Sequence, residues 1–311
     1  MQTAVCRIGC KWHIFPELPA DNCSEVHPQM TISLPAPSPE GKHQVDALIQ
    51  RISKAIGFFI VPTPESRKPS PGTGTLVQFR GRKYFVSALH CFFHDIGGNK
   101  QVIESWNAAR FKFRDTNPLG RTESLHEAVQ RVEPDLGRSL PLSLPGGLLI
   151  DTKHDLIAVR IQPAHDAVAH AEFIDLESEI FTKELTAGLS LLTLGAPLDS
   201  QVSVPRFGQT LIPQLEHVRF DPDIDTSGMA HENYSPTYFY MHYSLTQDGI
   251  YPHGFSGAPV FVNKEPTPDG VWAVSPHIVG IVQRFSRSKS LLIARKISTL
   301  IDLLGTDGSD V

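Results

Sequence analysis

The chain carries the stretch His253-Gly254-Phe255-Ser256-Gly257-Ala258-Pro259-Val260-Phe261, in which one serine stands in a turn between glycines and an apolar run follows. A serine hydroxyl is a poor nucleophile at neutral pH, so it needs a base for its proton and donors for the oxyanion that forms. Gly254 can adopt backbone angles closed to other residues, which lets its N–H and that of Ser256 point into one small space. Glycine, serine and proline also make up ordinary surface turns, so the stretch predicts a nucleophile only if partners occur elsewhere.

Two earlier stretches contain such partners. An apolar strand leads to His90, whose imidazole titrates near neutral pH and can therefore accept the serine proton. Asp155 directly precedes an aliphatic strand. Its carboxylate can accept a hydrogen bond from the ring nitrogen of His90 that faces away from the serine, and can stabilise the imidazolium. Taken alone, a histidine after a strand is more often structural, and an aspartate before one is often a turn residue. Together with Ser256, in the chain order His, Asp, Ser, they indicate the chymotrypsin type of triad.

The chain resembles the trypsin-like (chymotrypsin-fold) serine peptidases from about Ile56 to Leu304, and it is more similar to bacterial or intracellular members than to secreted digestive ones. Outside the triad stretches, the segments similar to the family are a glycine-rich strand before the histidine, a Gly-x-Pro stretch that opens the second barrel, and the strand after the serine. These are Gly72–Val77, Leu194–Pro197 and Ile278–Val282.

This resemblance implies a mainly β fold of two six-stranded antiparallel β-barrels, with an N-terminal extension that includes one helix and with a C-terminal helix. The expected parts are a leader at 1–42, a peptidase domain at 43–305 and a tail at 306–311. Within the peptidase domain we expect a helix at 43–56, the first barrel at about 57–180 and the second at about 187–305.

The resemblance also implies a serine endopeptidase that hydrolyses peptide bonds through an acyl-enzyme, without a metal or cofactor. The alternative is a catalytically silent barrel that binds a peptide or protein. The implied roles are His90 as base, Asp155 as its orienting group, Ser256 as nucleophile, the N–H groups of Gly254 and Ser256 as oxyanion hole, and His253, Gln283, Arg284 and Phe285 as substrate contacts.

The sequence departs from the digestive members of the family in three ways. Phe255 stands where they carry the aspartate that pairs with a newly cut N-terminus, so that activation switch is not expected. Cys91 stands at a position of one of their disulfides, but the preceding strand contains no cysteine, which favours a reduced thiol. Six residues before Ser256 is Ile250 rather than the aspartate that cleavage after lysine or arginine would require.

Composition limits the partners. The 311 residues suit two barrels and an extension, and 41% hydrophobic residues suffice for a sizeable core. A net charge of −5 gives no basic excess to neutralise phosphates, so neither nucleic acid nor an anionic membrane is expected as a partner. With four cysteines, no basic and apolar leader and no apolar run near twenty residues, we expect a cytoplasmic protein.

Two stretches raise the question of a metal. Cys6, Cys10, His13 and Cys23 lie close together, but their spacing is not that of paired C-x-x-C hooks, so free thiols are favoured over zinc. The alternating carboxylates of Asp221–Asp225 lack the glycine and the distal glutamate of a calcium loop, which favours a solvated loop.

The segment before the first barrel has a helical pattern. Val45, Leu48, Ile49, Ile52 and Ile56 fall on one apolar face, which must be buried. Packing on the peptidase barrel is favoured over docking to another subunit, because most amphipathic helices cover their own domain. A regulatory partner that binds through the N-terminal region is a further prediction.

Overall fold

The computed structural model describes residues 51–61, 70–92, 109–113, 147–161, 168, 171–187, 189–195, 202–204, 208–210, 214–227, 229, 235–243, 252–262, 264–266, 272–274 and 277–307. The chain divides into residues 1–38 and 39–311, and all described residues lie in the second part. Three parts of the chain lie outside the described residues. They are the predicted leader with its zinc alternative, residues 43–50 of the predicted helix, and most of the segment between His90 and Asp155.

The described chain is built mainly from β-strands. Residues 51–54 are helical, Leu89–Cys91 form a 3₁₀ turn, and the helix α1 spans Ile297–Gly305. The strands are β1 Ile56–Val61, β2 Ser70–Phe79, β3 Arg82–Ala88, β4 Arg110–Phe113, β5 Leu148–Asp151, β6 Leu156–Arg160, β7 Ile174–Asp175, β8 Ser190–Gly195, β9 Val202–Val204, β10 Gly208–Thr210, β11 Gln214–Phe220, β12 Tyr238–His242, β13 Pro259–Val262, β14 Lys264–Pro266, β15 Trp272–Val274, β16 Ile278–Ser286 and β17 Leu291–Lys296.

The first β unit is a sheet in the order β4-β1-β2-β3-β6-β5, and every neighbouring pair in it is antiparallel. β7 adds to it as a short parallel partner of β2. The hairpin β2–β3 turns at Arg80 and Gly81, whose φ values of 49° and 71° are those of a tight two-residue hairpin turn. The aromatic rings of Phe59, Phe85 and Phe92 pack in the core of this sheet.

The second β unit is a closed barrel in the order β11-β12-β17-β16-β13-β8. Its interior is lined by aliphatic and aromatic side chains that are almost wholly buried, such as Leu191, Phe239, Val260 and Leu292. A separate core cluster joins the two units, because it contains residues of both sheets together with the apolar face of α1. The members from α1 are Ile297, Leu300, Leu303 and Leu304.

The prediction of a mainly β protein with two antiparallel units and a C-terminal helix is confirmed. The second unit has the predicted six-stranded closed barrel. The first has six strands along its main path, but within the described residues its end strands β4 and β5 do not pair, so closure of that barrel stays a prediction.

One predicted boundary is wrong. The helix is predicted to end at Ile56, but Ile56 pairs with Thr75 as the first residue of β1, because the helical spacing of apolar residues continues by coincidence into the strand. The helix α1 ends at Gly305, and the Thr306 hydroxyl caps this end by donating to Leu303 O. Within the described residues, no helix is long and apolar enough to cross a membrane.

The segment after α1 is anchored to the first sheet. Asp307, whose side chain is only 6% exposed, accepts a hydrogen bond from the Tyr84 hydroxyl at Oδ2 over 2.7 Å. Arg82 Nη1 donates to Asp307 O at 2.7 Å and lies 3.4 Å from Asp307 Oδ2. Burial and the hydrogen bond to the Asp307 carboxylate raise the pKa of Tyr84 to about 12, which keeps its hydroxyl a donor. The segment that contains Asp307 therefore links the second barrel to the first sheet.

We expect Asp307→Asn to lower the free energy of unfolding by about 1–3 kcal/mol, because it removes the charge that Tyr84 and Arg82 surround. The matched control is Asp302→Asn on the exposed side of α1, for which a change within about 0.5 kcal/mol is expected. Urea unfolding monitored by fluorescence measures both variants. Equal changes in the free energy of unfolding would show that the contacts of Asp307 with Tyr84 and Arg82 do not hold the two β units together.

Candidate active site

His90 lies in the 3₁₀ turn directly after β3, so the strand delivers it to one edge of the first sheet. Its position is set by Asp155 through backbone and side chain together. Leu89 N donates to Asp155 O at 3.0 Å, His90 N donates to Asp155 Oδ1 at 2.9 Å, and His90 Nδ1 lies 2.7 Å from Asp155 Oδ2. An ionised carboxylate accepts and does not donate, so Nδ1 carries the proton and Nε2 is free to accept one.

Asp155 closes the hairpin between β5 and β6 and is almost buried, with 9% of its surface exposed. Its φ of 57° lies in the left-handed region, which aspartate tolerates better than most residues. The turn is braced by Asp151, whose Oδ1 accepts from His154 N at 3.0 Å and whose Oδ2 lies 2.6 Å from His154 Nδ1. The brace holds the turn in the conformation that presents the Asp155 carboxylate to His90.

The loop that contains Ser256 belongs to the second barrel but is hydrogen-bonded to β2 of the first sheet. Thr73 N donates to Ser256 O at 3.0 Å, and the Thr73 hydroxyl donates to Gly254 O at 2.6 Å. The Thr75 hydroxyl donates to Gly257 O at 2.9 Å. These three bonds place the serine against the sheet that carries His90 and Asp155, and we name them the serine-loop seam.

The alternation Gly72-Thr73-Gly74-Thr75 explains how one strand makes this seam. Successive side chains of a strand point to opposite faces, so the threonines share one face and the glycines the other. On the glycine face the rings of Phe59 and Phe85 lie where side chains would be. A Cβ on Gly72 would lie 2.2 Å from Phe59 Cζ, and one on Gly74 would lie 1.9 Å from Phe85 Cζ.

The three predicted triad side chains come together. Ser256 Oγ lies 3.0 Å from His90 Nε2, which completes a chain of hydrogen-bond contacts from Asp155 through the imidazole to the serine. Ser256 Oγ also lies 3.0 Å from Gln283 O, to which the hydroxyl can donate a hydrogen bond. In the resting site the hydroxyl hydrogen thus has two acceptors, and transfer to the imidazole requires it to point to His90.

The predicted oxyanion donors sit in the same loop. Gly254 has a φ of 101° and Gly257 one of 90°, backbone conformations that favour glycine. Phe255 N donates to Pro252 O at 3.1 Å and Gly257 N donates to Val282 O at 2.7 Å. By contrast, neither the Gly254 N–H nor the Ser256 N–H donates to another described residue, so both remain available to a ligand.

The predicted substrate contacts differ in how exposed they are, and their role stays a prediction. His253 is exposed, Arg284 is 31% exposed, and Phe285 is half-buried against Tyr243, with ring centroids 5.5 Å apart. The side chain of Gln283 is fully buried, so its assignment as a substrate contact stays a prediction for its backbone alone. In the orientation that satisfies both ends of its carboxamide, Gln283 Nε2 donates to Asp155 Oδ2 at 3.1 Å and to Asp155 O at 2.8 Å.

The sequence analysis missed Thr73 and Thr75, and it named Gln283 as a substrate contact rather than as a donor to Asp155. The Gly-Thr alternation of β2 was a usable signal for the threonines, since hydroxyls on one face and glycines on the other indicate two different neighbours. No comparable signal existed for Gln283, whose orientation depends on an irregularity of β16.

Opposing effects act on the protonation of the His90 imidazole. Burial lowers the pKa of His90, whereas the negative charge of Cys91 as a thiolate and the hydrogen bond and charge of Asp155 raise it, and the net result is a pKa above the ordinary 6.5. Asp155 acts directly on the ring, because its Oδ2 lies 2.7 Å from His90 Nδ1. Cys91 itself is a buried free thiol, as predicted.

In the acidic loop Asp221–Asp225, which was considered as a calcium site, two carboxylates contact basic side chains of the protein. Asp221 Oδ2 lies 3.0 Å from His242 Nε2, and Asp225 Oδ2 lies 3.2 Å from Lys289 Nζ. Asp225 also accepts from Ser227 N at 2.8 Å. Among the described residues, no cluster of histidine, cysteine and carboxylate groups could hold a metal ion.

No protein-family model matches the chain, and no curated protein matches it. Among solved structures, the human heparin binding protein is similar at 11% identity, over 82% of this chain and 92% of that chain, with a TM-score of 0.49. A serine endoprotease from Yersinia pestis is similar at 13% identity, over 86% and 67%, with a TM-score of 0.45. An active-form protease from M. tuberculosis is similar at 12% identity, over 96% and 95%, with a TM-score of 0.45.

What the chain can do chemically is decided by its own side chains, since those identities are low. Its own topology pairs an antiparallel sheet that carries His90 and Asp155 with a closed six-stranded barrel that carries Ser256. That architecture, with its C-terminal helix, is consistent with the trypsin-like double-barrel fold.

The seam predicts which glycine is indispensable. We expect Gly257→Ala to destabilise the protein by about 2–5 kcal/mol, because its Cβ would lie 1.9 Å from Thr73 O and its φ of 90° disfavours a side chain. The control is Gly81→Ala, which has a φ of 71° but nothing within 4 Å of the new Cβ, so only about 1–2 kcal/mol is expected. Thermal unfolding compares the two, and equal losses would contradict the role of close packing.

Proposed function

We propose that this protein is a serine endopeptidase that hydrolyses protein or peptide substrates through an acyl-enzyme. The observation that carries the proposal is the continuous path from Asp155 Oδ2 to His90 Nδ1 at 2.7 Å and from His90 Nε2 to Ser256 Oγ at 3.0 Å. Structural ion pairs also join histidine and aspartate, as Asp151 and His154 do in this chain. What distinguishes the His90 pair is a serine hydroxyl on the opposite ring nitrogen.

The proposed reaction starts with transfer of the Ser256 proton to His90 Nε2 while Ser256 Oγ attacks the scissile carbonyl carbon. Asp155 stabilises the imidazolium that forms, because its carboxylate already accepts the Nδ1 hydrogen. The carbonyl oxygen becomes an oxyanion, which the N–H groups of Gly254 and Ser256 are available to hold. The tetrahedral species collapses, the carbon–nitrogen bond breaks, and the leaving amine takes the proton from His90.

Deacylation uses the same groups in reverse. Water gives a proton to His90 Nε2 and attacks the acyl carbon, and His90 then returns that proton to Ser256 Oγ as the carboxylic acid product leaves. No step of this sequence requires a metal or cofactor.

A cytoplasmic location and a regulatory partner that binds through the N-terminal region stay predictions.

A fluorophosphonate probe tests the function directly, because it forms a covalent bond only with an activated serine. We expect stoichiometric labelling of Ser256, located by mass spectrometry of the digested protein. Ser256→Ala should abolish labelling and lower peptide hydrolysis by about 10⁶-fold. The matched control is Ser288→Ala in the exposed β16–β17 turn, which should label as the parent does. Absence of labelling in the folded parent protein would favour the catalytically silent, peptide-binding alternative.

The rate should rise with pH, because protonated His90 cannot accept the serine proton. Since the folded protein raises the pKa of His90, half-maximal kcat/KM should fall above pH 6.5 rather than below it. Asp155→Asn removes the charge that raises this pKa near neutrality, so the midpoint should move to lower pH while kcat falls by about 10⁴-fold. A pH profile of peptide hydrolysis measures both effects. A parent midpoint well below 6.5 would contradict the assignment of His90 as base.

A further inference from the structure

The carboxylate of Asp155 is contacted by two consecutive residues of β16. Gln283 Nε2 lies 3.1 Å from Asp155 Oδ2, and Arg284 Nη2 lies 3.7 Å from the same oxygen. Consecutive side chains of a regular strand point to opposite faces, so they cannot normally reach one atom. Here the pairing of β16 with β17 shifts register between Val282 and Arg284, which leaves Gln283 as the extra residue of a β-bulge. The bulge allows both side chains to face Asp155.

The two neighbours act in different ways. Gln283 is buried and neutral, and it makes an ordinary hydrogen bond that fixes the orientation of the carboxylate. Arg284 is 31% exposed, and at 3.7 Å its guanidinium lies beyond hydrogen-bond distance, so it acts on Asp155 through its charge. The oxygen that it approaches is the one that accepts the His90 Nδ1 hydrogen.

The sign of this effect follows from electrostatics. The negative charge of Asp155 favours the protonated imidazole, and a positive charge beside that carboxylate opposes it. Building on the proposed function, we propose that Arg284 is a positioning residue of the triad, which shares the charge of Asp155 and so opposes the protonation of His90. A base that is already protonated could not accept the serine proton. The positive charge of Arg284 therefore favours the unprotonated imidazole that the proposed reaction requires.

Other charged or titratable groups face the Asp155–His90 pair. Cys91 follows His90 in the 3₁₀ turn, and Asp151 and His154 pair with each other in the hairpin that carries Asp155. On β17, the buried guanidinium of Arg295 is within electrostatic range of Asp155 and donates to the Ser235 hydroxyl at 3.2 Å. All of these remain when Arg284 alone is replaced, so a change in the His90 titration reports Arg284.

The direct test is an NMR titration of the His90 ring, with the signal assigned by its loss in His90→Gln. We expect Arg284→Gln and Arg284→Met, two neutral replacements of different shape, to raise the pKa of His90 by about 0.5–1 unit. Arg284→Lys keeps the charge and should retain most of the parent value. The matched control is Arg287→Gln, which removes the same charge from an exposed site three residues further along and should leave the titration unchanged.

The pH dependence of fluorophosphonate labelling is the second readout, and its midpoint should move upward in the two neutral variants. A shift no larger than that of Arg287→Gln, or a downward shift, would overturn the inference. A purely structural role would lower the melting temperature without moving the titration. If the parent protein labels at no pH, the proposed peptidase function fails, yet the NMR titration still decides whether Arg284 controls the His90 proton.

Discussion

The structure depends on the serine-loop seam, the three hydrogen bonds from Thr73 and Thr75 of β2 to the backbone around Ser256. His90 and Asp155 belong to the first sheet and Ser256 to the second barrel, so their spacing is set by how the two units meet. Apolar packing joins the units through a shared core, but burial is non-directional and tolerates small displacements. Directional bonds from one strand to one loop remove that freedom, and a 3.0 Å contact between Ser256 Oγ and His90 Nε2 becomes possible.

The seam also explains why small residues crowd this region. The Thr73 carbonyl accepts from the Ser87 hydroxyl at 2.8 Å, and Gly257 approaches both so closely that a Cβ would lie 2.3 Å from Ser87 Oγ. A larger residue at any of these positions would push the serine loop away from the sheet. On the opposite face of β2 the glycines admit the rings of Phe59 and Phe85, so one strand serves packing with one face and site geometry with the other.

The sequence was sufficient to identify His90, Asp155 and Ser256 as side chains that lie together, because each stands next to a strand or glycine turn that is recognisable in the sequence. It was also sufficient for the mainly β architecture, since most strands are apolar runs between turn residues. It failed where local pattern and tertiary contact disagree. Ile56 continues a helical spacing but pairs as a strand, and Gln283 follows a strand period but is turned inward by a bulge that no residue type announces.

The buried carboxylate of Asp155 shows why these irregularities belong at the site. A desolvated charge is costly unless donors surround it, and here His90 supplies two donors and Gln283 a third. A regular turn and a regular strand could not aim all of them at one group: the φ of 57° at Asp155 and the bulge at Gln283 are what bring them into range. The left-handed turn disfavours the local backbone by about 1–2 kcal/mol, which the hydrogen bonds to the carboxylate are strong enough to offset. The strained backbone at Asp155 therefore persists because hydrogen bonds to its charged carboxylate, and not packing alone, hold this turn in place.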